Sequence, residues 1–205
     1  MKKIFHKDYA LIVLIGFLVG MLVLVPLKNI GINVSISLTV ILVLGFTLFA
    51  PFAFWILTLL SVYLRALKLF AKFAAVGTLN ILLNLSIVNL FIFMTSITKG
   101  FYFGVFTFIA FFVTKISSYM WNKFWTFEDD TKLSIKEYLH FTFYTIVGLI
   151  INVGIISFLV NVVSIPYGID EKQWANIAVL FATIITFLWN FLSYKNIVFK
   201  YNNNV

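Results

Sequence analysis

Six stretches of this sequence are each long and apolar enough to cross a bilayer, and they constrain the fold more tightly than any other feature. A helix needs about 20 apolar residues to span roughly 30 Å of hydrocarbon. The stretches run over 9–27, 35–64, 72–97, 101–121, 138–163 and 174–194. Inside lipid each backbone N–H and C=O must be satisfied within the protein, so these segments are expected to be helices. The second is overlong, with Pro51 in its middle. A proline removes a backbone donor, so a kinked, tilted helix is expected there, or a span followed by an interfacial segment. The fold class is therefore an all-α integral membrane protein, a compact bundle of about six transmembrane helices.

Composition agrees. Charged residues make up 11% of the chain, against roughly 25% in soluble domains. At 23.5 kDa there is no room for a separate soluble catalytic domain. The absence of cysteine removes disulfides and thiolate metal sites. His6 and His140 are far apart and lack carboxylate partners in the helices, so neither a metal nor a cofactor is expected. The start, Met1-Lys2-Lys3 before an apolar run, resembles a signal peptide, but no small-residue cleavage site follows Val25. A retained first helix is expected.

The formal net charge of +8 is distributed beside the apolar segments, as in residues that anchor helices at lipid headgroups. Nucleic acid is not the expected partner. One side collects Lys2, Lys3, Lys7, Arg65, Lys68, Lys72, Lys123, Lys132, Lys136, Lys195 and Lys200, and the other only Lys28, Lys99 and Lys172. That bias predicts a multi-pass cell-membrane protein with both termini and the acidic loop Glu128-Asp129-Asp130 in the cytoplasm.

The chain also carries an internal duplication. At an offset of 72 residues Tyr119 meets Phe191, Lys123 meets Lys195, Phe127 meets Phe199, and Asn80 meets Asn152. Each half reads as two helices, with an asparagine in the first and an aromatic-Lys-aromatic exit from the second. Each repeat crosses the membrane an even number of times, so the two share one orientation and a site between them is favoured. The expected domains are an added helix pair over 1–70, a four-helix core over 71–200 with repeats at about 71–127 and 139–199, and a tail over 201–205.

The stretches Lys72-Phe73-Ala74-Ala75-Val76-Gly77-Thr78-Leu79-Asn80 and Val147-Gly148-Leu149-Ile150-Ile151-Asn152 resemble the openings of the GtrA-like family. Asn122-Lys123-Phe124-Trp125-Thr126-Phe127 resembles its Asn-basic-x-Trp-x-Phe ending. Trp189-Asn190-Phe191, continuing to Val198-Phe199, resembles its second ending. In that second ending the basic-Trp element is weakened to Lys195-Asn196-Ile197. The resemblance covers roughly residues 70 to 200. It implies a small, non-enzymatic membrane protein that passes a polyprenyl-phosphate-linked sugar across the bilayer for cell-envelope polysaccharide or teichoic acid glycosylation. A membrane subunit that anchors or stabilises a polyprenyl-phosphate glycosyltransferase is the second reading it allows. A small-solute binding subunit of an importer is a third, by helix number alone. The implied partners are the sugar lipid and a cytoplasmic or membrane-bound glycosyltransferase; a homo-oligomer stays open.

Cations suit a phosphate, amides suit hydroxyls and aromatic faces suit sugar rings. Lys115 lies within the fourth span, six residues or ~9 Å from its Lys-rich end. An ionisable residue there is a functional-site candidate, and snorkelling of its stem to the headgroups is the rival reading. Asn80 and Asn84, four residues apart on one helix face, and Asn152 could meet sugar hydroxyls or pair across helices. Asn122, Lys123, Asn190 and Lys195 stand where a phosphate would arrive, or serve as lipid anchors. Trp121, Trp125 and Trp189 are expected in the interfacial aromatic belt, and Gly77 and Gly148 at close helix contacts. No paired carboxylates, nucleophile-base set or Gly-rich phosphate loop points to catalysis.

Overall fold

The computed structural model describes residues 2–64, 66–165, 167–168 and 170–199, with side chains from residue 7 onward except 172. Arg65, Lys200, the tail 201–205 and the side chains of Lys2, Lys3, His6 and Lys172, all used in the sequence reading, lie outside the described residues. The elements are α1 (Lys2–Leu22), α2 (Leu24–Asn29), α3 (Ile36–Leu60), α4 (Ala66–Thr95), α5 (Gly100–Trp121), α6 (Ile135–Asn161) and α7 (Glu171–Ser193). Two five-residue π-helical turns, π1 (Asn122–Thr126) and π2 (Tyr194–Val198), continue α5 and α7. Six segments are long and apolar enough to span a membrane, α1 and α2 together forming the first. The protein is an all-helical, multi-pass membrane protein.

At Pro51 the sequence left two forms open, and the structure has the continuous one: a single helix from Ile36 to Leu60 with Pro51 inside it. Its start is capped by Ser35, whose hydroxyl accepts from the Leu38 N–H at 3.2 Å. The exposed positions Val40, Leu44 and Leu48 recur every four residues along this helix and form a face for lipid.

The chain divides into two compact units, Met1–Thr126 and Phe127–Val205. In the first, α1 and α4 run parallel and in register. Asp8 pairs with Lys72, and Ser86 donates to the Leu22 carbonyl at 2.6 Å, both across 64 residues of sequence. The second contact has a local cause. Pro26 has no N–H to offer the carbonyl four residues before it, which is that of Leu22, and the Ser86 hydroxyl takes its place in a medium that supplies no other donor. Beyond it, the Asn29 amide donates to the Asn89 side-chain oxygen at 3.0 Å. Helix α3 lies antiparallel against α1, and two glycines set the approach. A Cβ on Gly20 would lie 2.7 Å from Val43 Cα, and one on Gly16 would strike the Phe46 carbonyl. Ile12, Ile15, Val19, Phe54, Ala71, Val76, Leu79 and Trp125 form the buried core of this unit. In lipid such a core is held by packing and interhelical hydrogen bonds rather than by escape from water.

The second unit is an antiparallel pair, α6 and α7, joined by side-chain donors that reach the opposite backbone. Trp174 Nε1 donates to Leu159 at 2.9 Å, and Trp189 Nε1 to Tyr144 at 3.1 Å. The Thr145 and Tyr194 hydroxyls share a hydrogen bond of 2.5 Å. Asp170 begins α7 with a capping box, accepting from Gln173 N at 2.8 Å while its own N–H donates to Gln173 Oε1. Gly148 faces Asn190 and Trp189 so closely that a Cβ would stand 2.6 Å from Asn190 Oδ1. This is the close contact expected of it. Phe127, Phe141, Phe191, Tyr194 and Phe199, all buried, gather at the π2 end.

Candidate functional site

A cluster of charge lies where α1, α4 and π1 meet in the first unit. Asp8 is 2% exposed. Its carboxylate receives Lys72 Nζ at 2.7 Å, Lys68 Nζ at 2.8 Å and the Trp125 indole N–H at 3.1 Å. Lys72 also donates to the Trp125 carbonyl at 3.5 Å, and its ammonium stands 5.7 Å from the indole ring centre, within cation–π reach. The ammonium of Lys72 is as buried as the carboxylate, whereas the Lys68 side chain is 32% accessible.

Local backbone geometry makes this possible. The wider π turn aims Asn122, Lys123, Trp125 and Thr126 inward together, which places the indole against α4. Such turns recur at functional sites. On α4, Lys72, Val76 and Asn80 follow at four-residue spacing, and all three are buried. The two ammonium groups and the indole N–H that donate to this carboxylate are donors of the kind that also suit a phosphate oxygen.

The sequence-derived candidates are divided between the two units. Asn80 is 7% exposed; its amide donates to the Val76 carbonyl at 2.8 Å, and its Oδ1 has no hydrogen-bond partner. Asn122, 1% exposed, donates to the Ser118 carbonyl, and its Oδ1 and the Thr126 hydroxyl are likewise unsatisfied. These buried acceptors in the first unit suit incoming hydroxyl donors. Lys123 is fully buried, with Nζ 5.9 Å from the Phe124 ring centre. Lys115 is half-buried on α5, its ammonium 5.4 Å from the ring of Phe111 one turn back on the same helix. Asn84 and Asn152 are half-buried. In the second unit, Asn190 turns an unsatisfied Oδ1 toward Gly148, and Lys195 is half-buried.

Two expectations are corrected. Lys72 was counted among headgroup anchors, yet it is buried in an ion pair, because Asp8 neutralises it. Trp125 was assigned to the aromatic belt, yet it is 4% exposed and its indole donates inward to Asp8; Trp189 is half-buried and donates to the Tyr144 carbonyl. Asp8 itself was missed. The signal was present, since it is the sole acidic residue before Glu128 and stands at the very start of an apolar span, where a carboxylate needs a partner.

The two halves differ at this site. The π turns begin at Asn122 and Tyr194, the same 72-residue offset as the sequence match. At that offset Tyr144 stands for Lys72 and Ile197 for Trp125, so the second half lacks both donors. A Trp125→Phe change keeps the ring and removes one hydrogen bond to a charged acceptor. It is expected to cost about 1.5–3 kcal/mol, measured by unfolding in detergent.

Residues 72–199, more than half of the chain, match the sequence model of a family described as GtrA/DPMS, transmembrane domain. Searches of the curated proteins and of the solved structures give no match.

Proposed function

Because the chain belongs to the GtrA/DPMS transmembrane-domain family, we propose that it moves a polyprenyl-phosphate-linked sugar across the membrane, from the cytoplasmic to the outer leaflet, without catalysing a reaction. The family match carries this reading, since it ties the chain to membrane sugar-lipid handling. The arrangement around Asp8 supports it with suitable chemistry. Lys68 is the cation within reach of a phosphate, held in place by Asp8 beside the buried Lys72 and Trp125, while the unsatisfied oxygens of Asn80, Asn122 and Thr126 suit the hydroxyls of a sugar. The Lys-rich side, where this cluster lies, is the cytoplasmic side by the positive-inside bias. Capture of the phosphate begins at Lys68, the accessible member of the cluster.

The test is transbilayer movement of a short-chain polyprenyl-phosphate sugar in liposomes holding the purified protein. Movement should depend on the protein. It should fall about tenfold in Lys68→Ala, the worth of one charge-assisted hydrogen bond to phosphate, and fall also in Lys115→Ala. Unchanged movement in both folded variants would remove these cations from the route. No movement with well-folded parent protein would instead favour a membrane subunit that anchors a glycosyltransferase.

A further inference from the structure

An apolar groove of about 250 Å³ runs between α1, α3 and α4. It exists because small residues meet there: Gly16 on α1, Ala50 and Ala53 on α3, and Ala71, Ala74 and Ala75 on α4. Its single polar lining side chain, Thr78, donates its hydroxyl to the Ala74 carbonyl of its own helix. The groove therefore offers a sugar or a solute no free donor and only the lone pairs of one hydroxyl, and hydrocarbon is the occupant it fits.

Its position relative to charge narrows the occupant further. On α4, Lys68, Ala71, Ala75 and Thr78 follow at spacings of three and four residues, which places them on one face. On α1, Ile12 lies one turn beyond Asp8, and the lining continues through Ile15 to Val19. With α1 and α4 parallel and in register, the groove starts one turn from the ion pairs and extends ~10 Å along both helices. A chain lying in it has Lys68, whose side chain is partly accessible, at its end.

We propose that this groove holds the hydrocarbon chain of a polyprenyl phosphate, with its phosphate engaged by Lys68. The inference rests on the reading that the ligand is a phosphate-headed lipid, and it assigns a role to the helices that precede the family segment. They supply two of the three walls of a site for the lipid's chain.

The test uses the full chain in nanodiscs with two photoactivatable probes, a polyprenyl phosphate and a neutral phosphatidylcholine, each bearing the reactive group on the hydrocarbon chain. Peptides containing Ala50, Ala53 and Ala75 should be labelled about tenfold more by the polyprenyl phosphate, a preference lost in Lys68→Ala. Filling the groove with Ala53→Leu or Ala74→Leu should reduce that labelling while gel filtration still shows a folded protein. Equal labelling by both probes in the unaltered chain overturns the proposal without reference to any variant. Movement in liposomes with no selective labelling of the groove overturns it while the transport reading stands. Selective labelling without movement supports the groove and removes the transport reading.

Discussion

Replacing Asp8 by asparagine is expected to destabilise the protein by about 3–5 kcal/mol, the usual cost of removing one partner of a buried ion pair. The magnitude follows from what remains behind. Lys72 is 2% exposed and would keep its ammonium without the carboxylate 2.7 Å away. The third donor, the Trp125 N–H, would lose a charged acceptor. Lys68 contributes less, because its partial exposure lets water or headgroups compensate. The measurement is unfolding of the purified protein in mixed micelles. Adding Lys72→Met to Asp8→Asn should restore much of the loss, since removing both members of a buried pair is close to neutral. A single variant as stable as the parent would show that the pair is not retained in the membrane-embedded protein.

The second large effect is expected at Gly20. A leucine there would begin with a Cβ 2.7 Å from Val43 Cα, and the obstacle is backbone, which no rotamer change can move aside. The helices must separate, at about 3 kcal/mol, the upper end of ordinary overpacking, together with lost contacts along α1 and α3. Gly45 is the internal control. A Cβ there meets nothing within 4 Å, so Gly45→Ala should be neutral or stabilising by about 0.5–1 kcal/mol. Equal tolerance of both substitutions would dismiss the close α1–α3 contact.

Much of the fold could be read from the chain because membrane physics leaves few choices. Runs of apolar residues of spanning length must be helices, and each of the six falls on a segment long and apolar enough to span. What could not be read was lateral. Lys72 and Asp8 are separated by 64 residues, and nothing in either neighbourhood announces that they meet. Lys72 therefore looked like one more residue of a basic helix end. The π turn was equally hidden, since its five residues follow a helical pattern until their burial is known. Gly16 and Gly20 were a missed signal of a different kind. Two glycines four apart in an apolar run mark a close helix contact, and that reading required no coordinates. Among the site candidates, Asn80 and Asn122 are buried with one oxygen of each unsatisfied, and the Lys115 ammonium stands 5.4 Å from the Phe111 ring of its own helix, none of which the sequence displays.

The ion pair between Asp8 and Lys72 has a practical bearing on where this protein can be cut. The segment that resembles other members of the family begins at Lys72, and its counter-charge stands on the helix that segment leaves out. An excised piece starting there would open with an ammonium that has lost its carboxylate, next to a Leu79 and a Val76 stripped of their neighbours on α1. The border drawn by likeness and the border drawn by electrostatics do not coincide. A shortened version that keeps Lys72 should therefore also keep Asp8.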